Sequence, residues 1–178
     1  MKRFILFLFL IIFMISSVGC EKKEKQTITE DKNIQYGIHE GNKAYDFILT
    51  DSDGKKVALS DFKGEKVFLN FWASWCKYCE IDKQKIASLQ DEYKNIKFLM
   101  VNLTELEKIN KDQIRDYLFR YSKDFVLLYD DESYAASIYS VAAIPTSYII
   151  DEEGIIRKMI VGPITNRLEE EIRQLLDN

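Results

Sequence analysis

Val67 to Trp72 (VFLNFW) is an almost unbroken apolar run rich in aromatic side chains, and shortly after it come Cys76 and Cys79, framing Lys77 and Tyr78. A run of this kind, without the alternation of a half-solvated strand, is expected of a strand covered on both faces of a sheet. Lys97 to Leu103 and Phe125 to Tyr129 have the same character. Between the first two lies Cys76 to Tyr93, where Ile86, Leu89 and Tyr93 recur at i, i+3 and i+7 along a charged segment, which is helical spacing. Asn110 to Tyr121 repeats the pattern through Ile114, Tyr117, Leu118 and Tyr121, and Glu132 to Tyr139 is a shorter candidate. Strand and helix in alternation imply parallel pairing through right-handed crossovers.

The pattern then changes. Ser147 to Ile150 and Ile155 to Val161 flank Asp151-Glu152-Glu153-Gly154 and read as an antiparallel hairpin. Asn166 to Leu176 reads as a closing amphipathic helix with Asn166 as its N-cap. Phe47 to Leu49 and Lys56 to Leu59 straddle Asp53-Gly54 and suggest an earlier hairpin. The expected fold class is α/β: a thioredoxin-like fold with a central mixed sheet flanked by helices and an extra N-terminal β-hairpin.

The chemistry concentrates where the buried strand gives way to the helix. After Ala73-Ser74-Trp75, Cys76 opens the helix, where unpaired N–H groups and the macrodipole favour an anion. A thiol there can ionise well below its ordinary pKa of about 8.5 and become a nucleophile. Cys79 lies one turn further in, placed to attack a mixed disulfide formed by Cys76 and release the substrate. Lys77 adds a positive charge beside the first thiol, or is a solvated lysine. Asp82 lies one turn beyond Cys79, where a carboxylate could take the proton Cys79 must lose, or could pair with Lys85. Trp72 reads as core, whereas Trp75 is either core or an apolar substrate surface. Pro145, in Ile144-Pro145-Thr146, precedes a strand, and X-Pro bonds are where cis peptides occur.

Other uses of CKYC fit less well. A zinc site needs four ligands, and the chain offers two free thiols and one distant His39, so neither metal nor other cofactor is expected. A purely structural disulfide closing so short a loop would constrain little. A copper-carrying protein would need CxxxC with a distant His, and a peroxiredoxin would need a Thr two residues before a lone cysteine; the chain has neither the CxxxC spacing nor that Thr.

The chain starts with Lys2 and Arg3, an apolar run from Phe4 to Ile15, and Ser16-Ser17-Val18-Gly19 before Cys20. That is the layout of an export signal. The small residues before Cys20 resemble the lipobox of bacterial lipoproteins, which implies lipidation at Cys20; a retained hydrophobic anchor is the alternative. The reading divides the chain into a signal over 1–19, a lipidated Cys20 with a charged flexible tether over 20–42, and a thioredoxin-like domain over 43–178. The domain then sits outside the cytoplasm, anchored to the cell membrane, with Cys76 and Cys79 its remaining thiols in an oxidising compartment. A net charge of −4 over the whole chain argues against nucleic acid as a partner.

Together, Ala44-Tyr45-Asp46-Phe47, Asp53-Gly54-Lys55, Leu59 to Gly64, Phe71 to Cys76, Ile144-Pro145-Thr146, and Ile150-Asp151 with Gly154 resemble the TlpA/ResA-like thiol-disulfide oxidoreductases, a membrane-tethered branch of the thioredoxin superfamily. The resemblance implies a redox-active Cys76–Cys79 disulfide, a cis Pro145 facing it, and Asp82 in the place of the family's active-site acid, usually Glu. It implies that Trp75, Lys77, Tyr78, Ile144 and Thr146 border the bound substrate chain. Tyr78 replaces a common Pro, and Gln84 a helix-kinking Pro, which implies a straighter helix. Partners implied are protein thiols and disulfides, for instance apocytochrome c, and a membrane thiol-electron donor, with the reducing role favoured and a disulfide-forming oxidase or isomerase the alternative; a monomer is expected.

Overall fold

The computed structural model describes residues 35 to 177. The expected export signal, the Cys20 lipidation site and the first part of the tether lie outside the described residues. Strands β1 (Ile48–Asp51), β2 (Lys56–Ala58), β3 (Val67–Trp72), β4 (Lys97–Asn102), β5 (Val126–Tyr129), β6 (Thr146–Ile150) and β7 (Ile156–Val161) form one sheet in the order β2-β1-β5-β4-β3-β6-β7. Helix α1 (Lys77–Glu92) connects β3 to β4, and α2 (Lys111–Leu118) connects β4 to β5. Both pairings are parallel. A short α3 (Tyr134–Ile138) leads to β6, which runs antiparallel to β3 and to β7, and α4 (Asn166–Asp177) ends the fold.

The apolar runs owe their continuity to cover on both faces of the sheet. Phe68, Trp72, Phe98, Met100 and Leu127 pack with Ile86 and Leu89 of α1, Ile114 and Leu118 of α2, and Ile172 and Leu176 of α4. The alternate residues, Val67, Leu69, Phe71, Leu99, Val101 and Leu128, face α3 and the N-terminal hairpin. There Tyr139 lies against Phe47, Phe71 and Tyr148, and its hydroxyl donates to the Tyr45 carbonyl at 2.7 Å. The one polar residue inside the β3 run, Asn70, is satisfied by donating to Ser147 Oγ at 2.9 Å.

Both hairpins turn on the same chemistry. Asp51 Oδ1 accepts the amides of Asp53 and Lys55 at 2.9 and 2.8 Å, and Asp151 Oδ1 accepts those of Glu153 and Ile155 at 3.1 and 2.7 Å. Each turn then needs a left-handed residue, supplied by Gly54 and Gly154.

Three expectations change. Residues 35–42, assigned above to the tether, are bonded to the sheet: Lys43 N–H donates to the Gln35 carbonyl at 3.0 Å, Gly41 N–H to that of Ile156 at 2.8 Å, and Ile156 N–H to that of Asn42 at 2.9 Å. Their polar, aperiodic composition hid a strap held by these backbone bonds and by the partly buried side chain of Ile38. The helix expected from Glu132 starts only at Tyr134, because Ser133 is left-handed and the buried carboxylate of Asp130 accepts the amides of Ala135 and Ala136. At α4 the cap is Thr165, whose hydroxyl accepts the Leu168 amide at 3.3 Å, while Asn166 is already helical and accepts from Lys85 Nζ.

At the opposite edges of the sheet, β2 has only three residues, and the start of β7 is covered by the 35–43 strap.

Candidate functional site

The site forms at the carboxyl end of β3. The connector Ala73-Ser74-Trp75 is held from below by Glu107, whose Oε1 accepts the Ser74 amide at 2.6 Å and the Asn102 side-chain amide at 2.8 Å. The Ser74 hydroxyl donates to its other oxygen. Trp75 Nε1 donates to the Leu106 carbonyl at 3.0 Å while the ring stays 54% exposed, so it is not part of the core. Glu107→Ala would strand the Ser74 and Asn102 donors. We expect it to cost about 1.5–3 kcal/mol in urea unfolding of the oxidised protein.

Cys76 is the N-cap of α1 and forms a disulfide with Cys79 across a Cα–Cα distance of 5.2 Å. The Cys79 amide donates to Cys76 Sγ at 3.1 Å, so the helix start is already aimed at the sulfur that would carry a thiolate. Both cysteines are buried, Cys76 at 6% exposure and Cys79 at 1%. Lys77 and Tyr78 are exposed in the first turn, and α1 runs unbroken past Gln84 to Glu92. Tyr78, Ile81, Trp75 and Leu106 are large apolar side chains left open to solvent.

The Ile144–Pro145 bond is cis, and the Ile144 carbonyl oxygen lies 3.7 Å from Cys76 Sγ. Pro145 is buried, with its carbonyl taken by the Gly162 amide at 2.8 Å. Thr146 is buried as well, and its hydroxyl donates to the Ala143 carbonyl at 2.7 Å, so its side chain shapes the loop rather than facing outward.

Asp82 is 1% exposed, with Oδ1 accepting the Ile164 amide at 2.9 Å and Oδ2 buried without a hydrogen bond. It does not pair with Lys85, whose ammonium goes to the Ile164 carbonyl, Asn166 and Glu169. Burial pushes the Asp82 carboxyl up from 3.8 to about 6, against the opposing pull of the Ile164 amide and of Lys85 and Lys83. The group therefore titrates near neutrality, the condition for exchanging a proton in solution at ordinary pH.

The sequence reading missed Lys83 and Glu107. Lys83 is 1% exposed, with its ammonium 4.0 Å from the centre of the Trp72 ring. The usable signal was the helical stripe: Cys79, Lys83, Ile86 and Gln90 share one buried face of α1. Glu107 had no such signal, since its role depends on how the loop after β4 folds back. Among the described residues, no group of three or more His, Cys, Asp or Glu side chains could hold a metal ion.

The arrangement is a dithiol/disulfide pair at a helix start, with a neighbouring buried acid and an apolar rim. The model of the AhpC/TSA family matches residues 41–159. The thioredoxin-like protein YneN of Bacillus subtilis is 41% identical over 144 residues, 80% of this chain and 82% of its own. The thiol-disulfide oxidoreductase ResA of Geobacillus thermodenitrificans is 34% identical over 140 residues, 78% of this chain and 76% of its own. A crystal structure assigned as the thiol:disulfide interchange protein DsbE of Chlorobium tepidum superposes with a TM-score of 0.68 at 30% identity, covering 78% of this chain and 95% of that one. With the fold, the paired cysteines and these relatives in agreement, the chain belongs to the AhpC/TSA family and is a ResA-like thiol-disulfide oxidoreductase of the thioredoxin superfamily.

Proposed function

We propose that this oxidoreductase works outside the cytoplasm, tethered to the membrane through Cys20 or its preceding apolar segment, as a reductant of disulfides in exported proteins. The Cys76 thiolate attacks one sulfur of the substrate disulfide, the substrate S–S bond breaks, and the other substrate sulfur leaves as a thiolate while Cys76 is joined to the first. Cys79 gives up its proton to Asp82, attacks Cys76 Sγ, and the substrate sulfur leaves as a thiolate. The Cys76–Cys79 disulfide that results is reduced again by a membrane thiol donor. The cis-Pro145 loop, Trp75 and Tyr78 border the approaching chain.

The observation that carries the assignment of roles is the difference between the two sulfurs. Cys76 caps the helix and takes the Cys79 amide, whereas Cys79 is sunk against the core with Asp82 and Lys83 following it along α1. The first sulfur is built to be an anion, and the second must be helped to become one.

Direction is tested by equilibrating the protein with a glutathione or dithiothreitol redox buffer and reading the fraction of disulfide. A reductant should settle below about −200 mV, towards thioredoxin at about −270 mV; a midpoint near −120 mV would make it an oxidant.

A further inference from the structure

The mechanism proposed above leaves one buried charge without a task. Lys83 is almost wholly enclosed, an uncommon state for a lysine without a carboxylate partner. Its ammonium donates to the Cys79 carbonyl at 3.3 Å and lies 4.0 Å from the Trp72 ring centre and 5.3 Å from that of Tyr117. Rings and a carbonyl hold the cation in place without neutralising it. The groups whose charges reach it are Asp82 and Glu80 on its own helix and Glu107 in the loop after β4. From α2 comes the Tyr117 hydroxyl, kept neutral by burial, with the Arg120 guanidinium 4.7 Å from the far ring. β3 contributes only the indole of Trp72.

Holding a lysine here has a cost: burial brings its pKa down from 10.5 to about 7, against the pull of the three carboxylates. A methionine or leucine would fill the same volume without it. The position explains what the charge could serve. Lys83 is four residues after Cys79, on the same face of α1 and in the same water-poor environment, where the unfavourable event is formation of the Cys79 thiolate.

We propose that Lys83 is a positioning residue for the resolving step, its buried ammonium stabilising the Cys79 thiolate while that thiolate attacks the mixed disulfide. The inference rests on the assignment of Cys76 as attacking and Cys79 as resolving sulfur. The step balances within the site. The Cys79 proton moves to the Asp82 carboxylate, the Cys79 sulfur forms a bond to Cys76 Sγ, the bond from Cys76 to the substrate sulfur breaks, and its electron pair leaves on the substrate thiolate. Lys83 transfers no proton in the step: it acts in its protonated form, which the developing thiolate favours.

The test mixes full-chain reduced protein with glutathione disulfide and follows the two steps separately, formation of the Cys76–glutathione mixed disulfide and its resolution. Lys83→Met should slow resolution about tenfold at pH 7 and leave formation within about twofold of wild type, because a change of one pK unit in the resolving thiol is a tenfold change in its thiolate. In a Cys76→Ala background the same substitution should raise the ionisation midpoint of Cys79 by about one unit, read by thiolate absorbance, and Lys83→Arg should restore most of it. Wild-type resolution with an unmoved midpoint, or equal slowing of both steps, would overturn the inference. Should Lys83→Met fail to fold, NMR titration of the Lys83 side chain decides. In the Cys76→Ala protein its proton should be retained to higher pH than in Cys76→Ala with Cys79→Ala, since coupling is reciprocal, and identical titrations would overturn the proposal. Loss of exchange in Cys76→Ser with normal resolution in Lys83→Met would leave the dithiol roles standing and remove only Lys83 from them.

Discussion

Cys76→Ser is expected to abolish disulfide exchange, lowering turnover of a model protein disulfide by about a thousandfold or more, while Cys79→Ser stops one step later and accumulates substrate on Cys76. The asymmetry follows from the helix start. Replacing Cys76 removes the sulfur that the Cys79 amide supports, and Cys79, at 1% exposure, cannot meet a substrate directly in its place. Non-reducing electrophoresis distinguishes the two variants: only Cys79→Ser should yield mixed disulfides that dithiothreitol dissolves. Exchange that persists in Cys76→Ser would sink the assignment of roles.

The second large effect concerns Asp82, and it has opposite signs for rate and for stability. Asp82→Asn keeps an acceptor for the Ile164 amide but removes the base, so resolution should slow by about a hundredfold and the acid limb near pH 6 should vanish from its pH profile. Stability should rise. Folding lifts the carboxyl from 3.8 to about 6, so the native chain binds more protons than the unfolded one in that window and the wild type loses stability as pH rises through it. Above about pH 6 the whole penalty is present; below about pH 4 it is absent. Asp82→Asn should therefore be more stable by about 2–3 kcal/mol at pH 7 to 8, with the gain fading towards pH 4, in urea unfolding of the oxidised protein.

How far the sequence could be read depended on whether a feature is local. Val67–Trp72 was legible as a strand because burial on both faces leaves a continuous apolar run, and Cys76 as a helix cap because strand, connector and helical stripe lie in order. Asp82 could be placed on the cysteine face by spacing alone. Its depth could not, since that comes from Ile164, which arrives 82 positions later in the chain. The helical stripe puts Lys83 on the face of Cys79 and Ile86, but the rings of Trp72 and Tyr117 that receive its ammonium come from other elements. The 35–42 strap was hidden for a related reason: the backbone groups of Gly41 and Asn42, which no side-chain pattern announces, attach it to Ile156.

That strap also bears on how copies of the protein behave together. A sheet margin is a template on which another chain can add a strand, and proteins blunt such margins with short strands, charges or a covering segment. Here the margins use all three: β2 is three residues long, Arg157 and Lys158 stand on β7, and residues 41 to 43 occupy the hydrogen-bonding groups at its start. Neighbouring copies are thereby denied an easy route to fibre-like polymerisation.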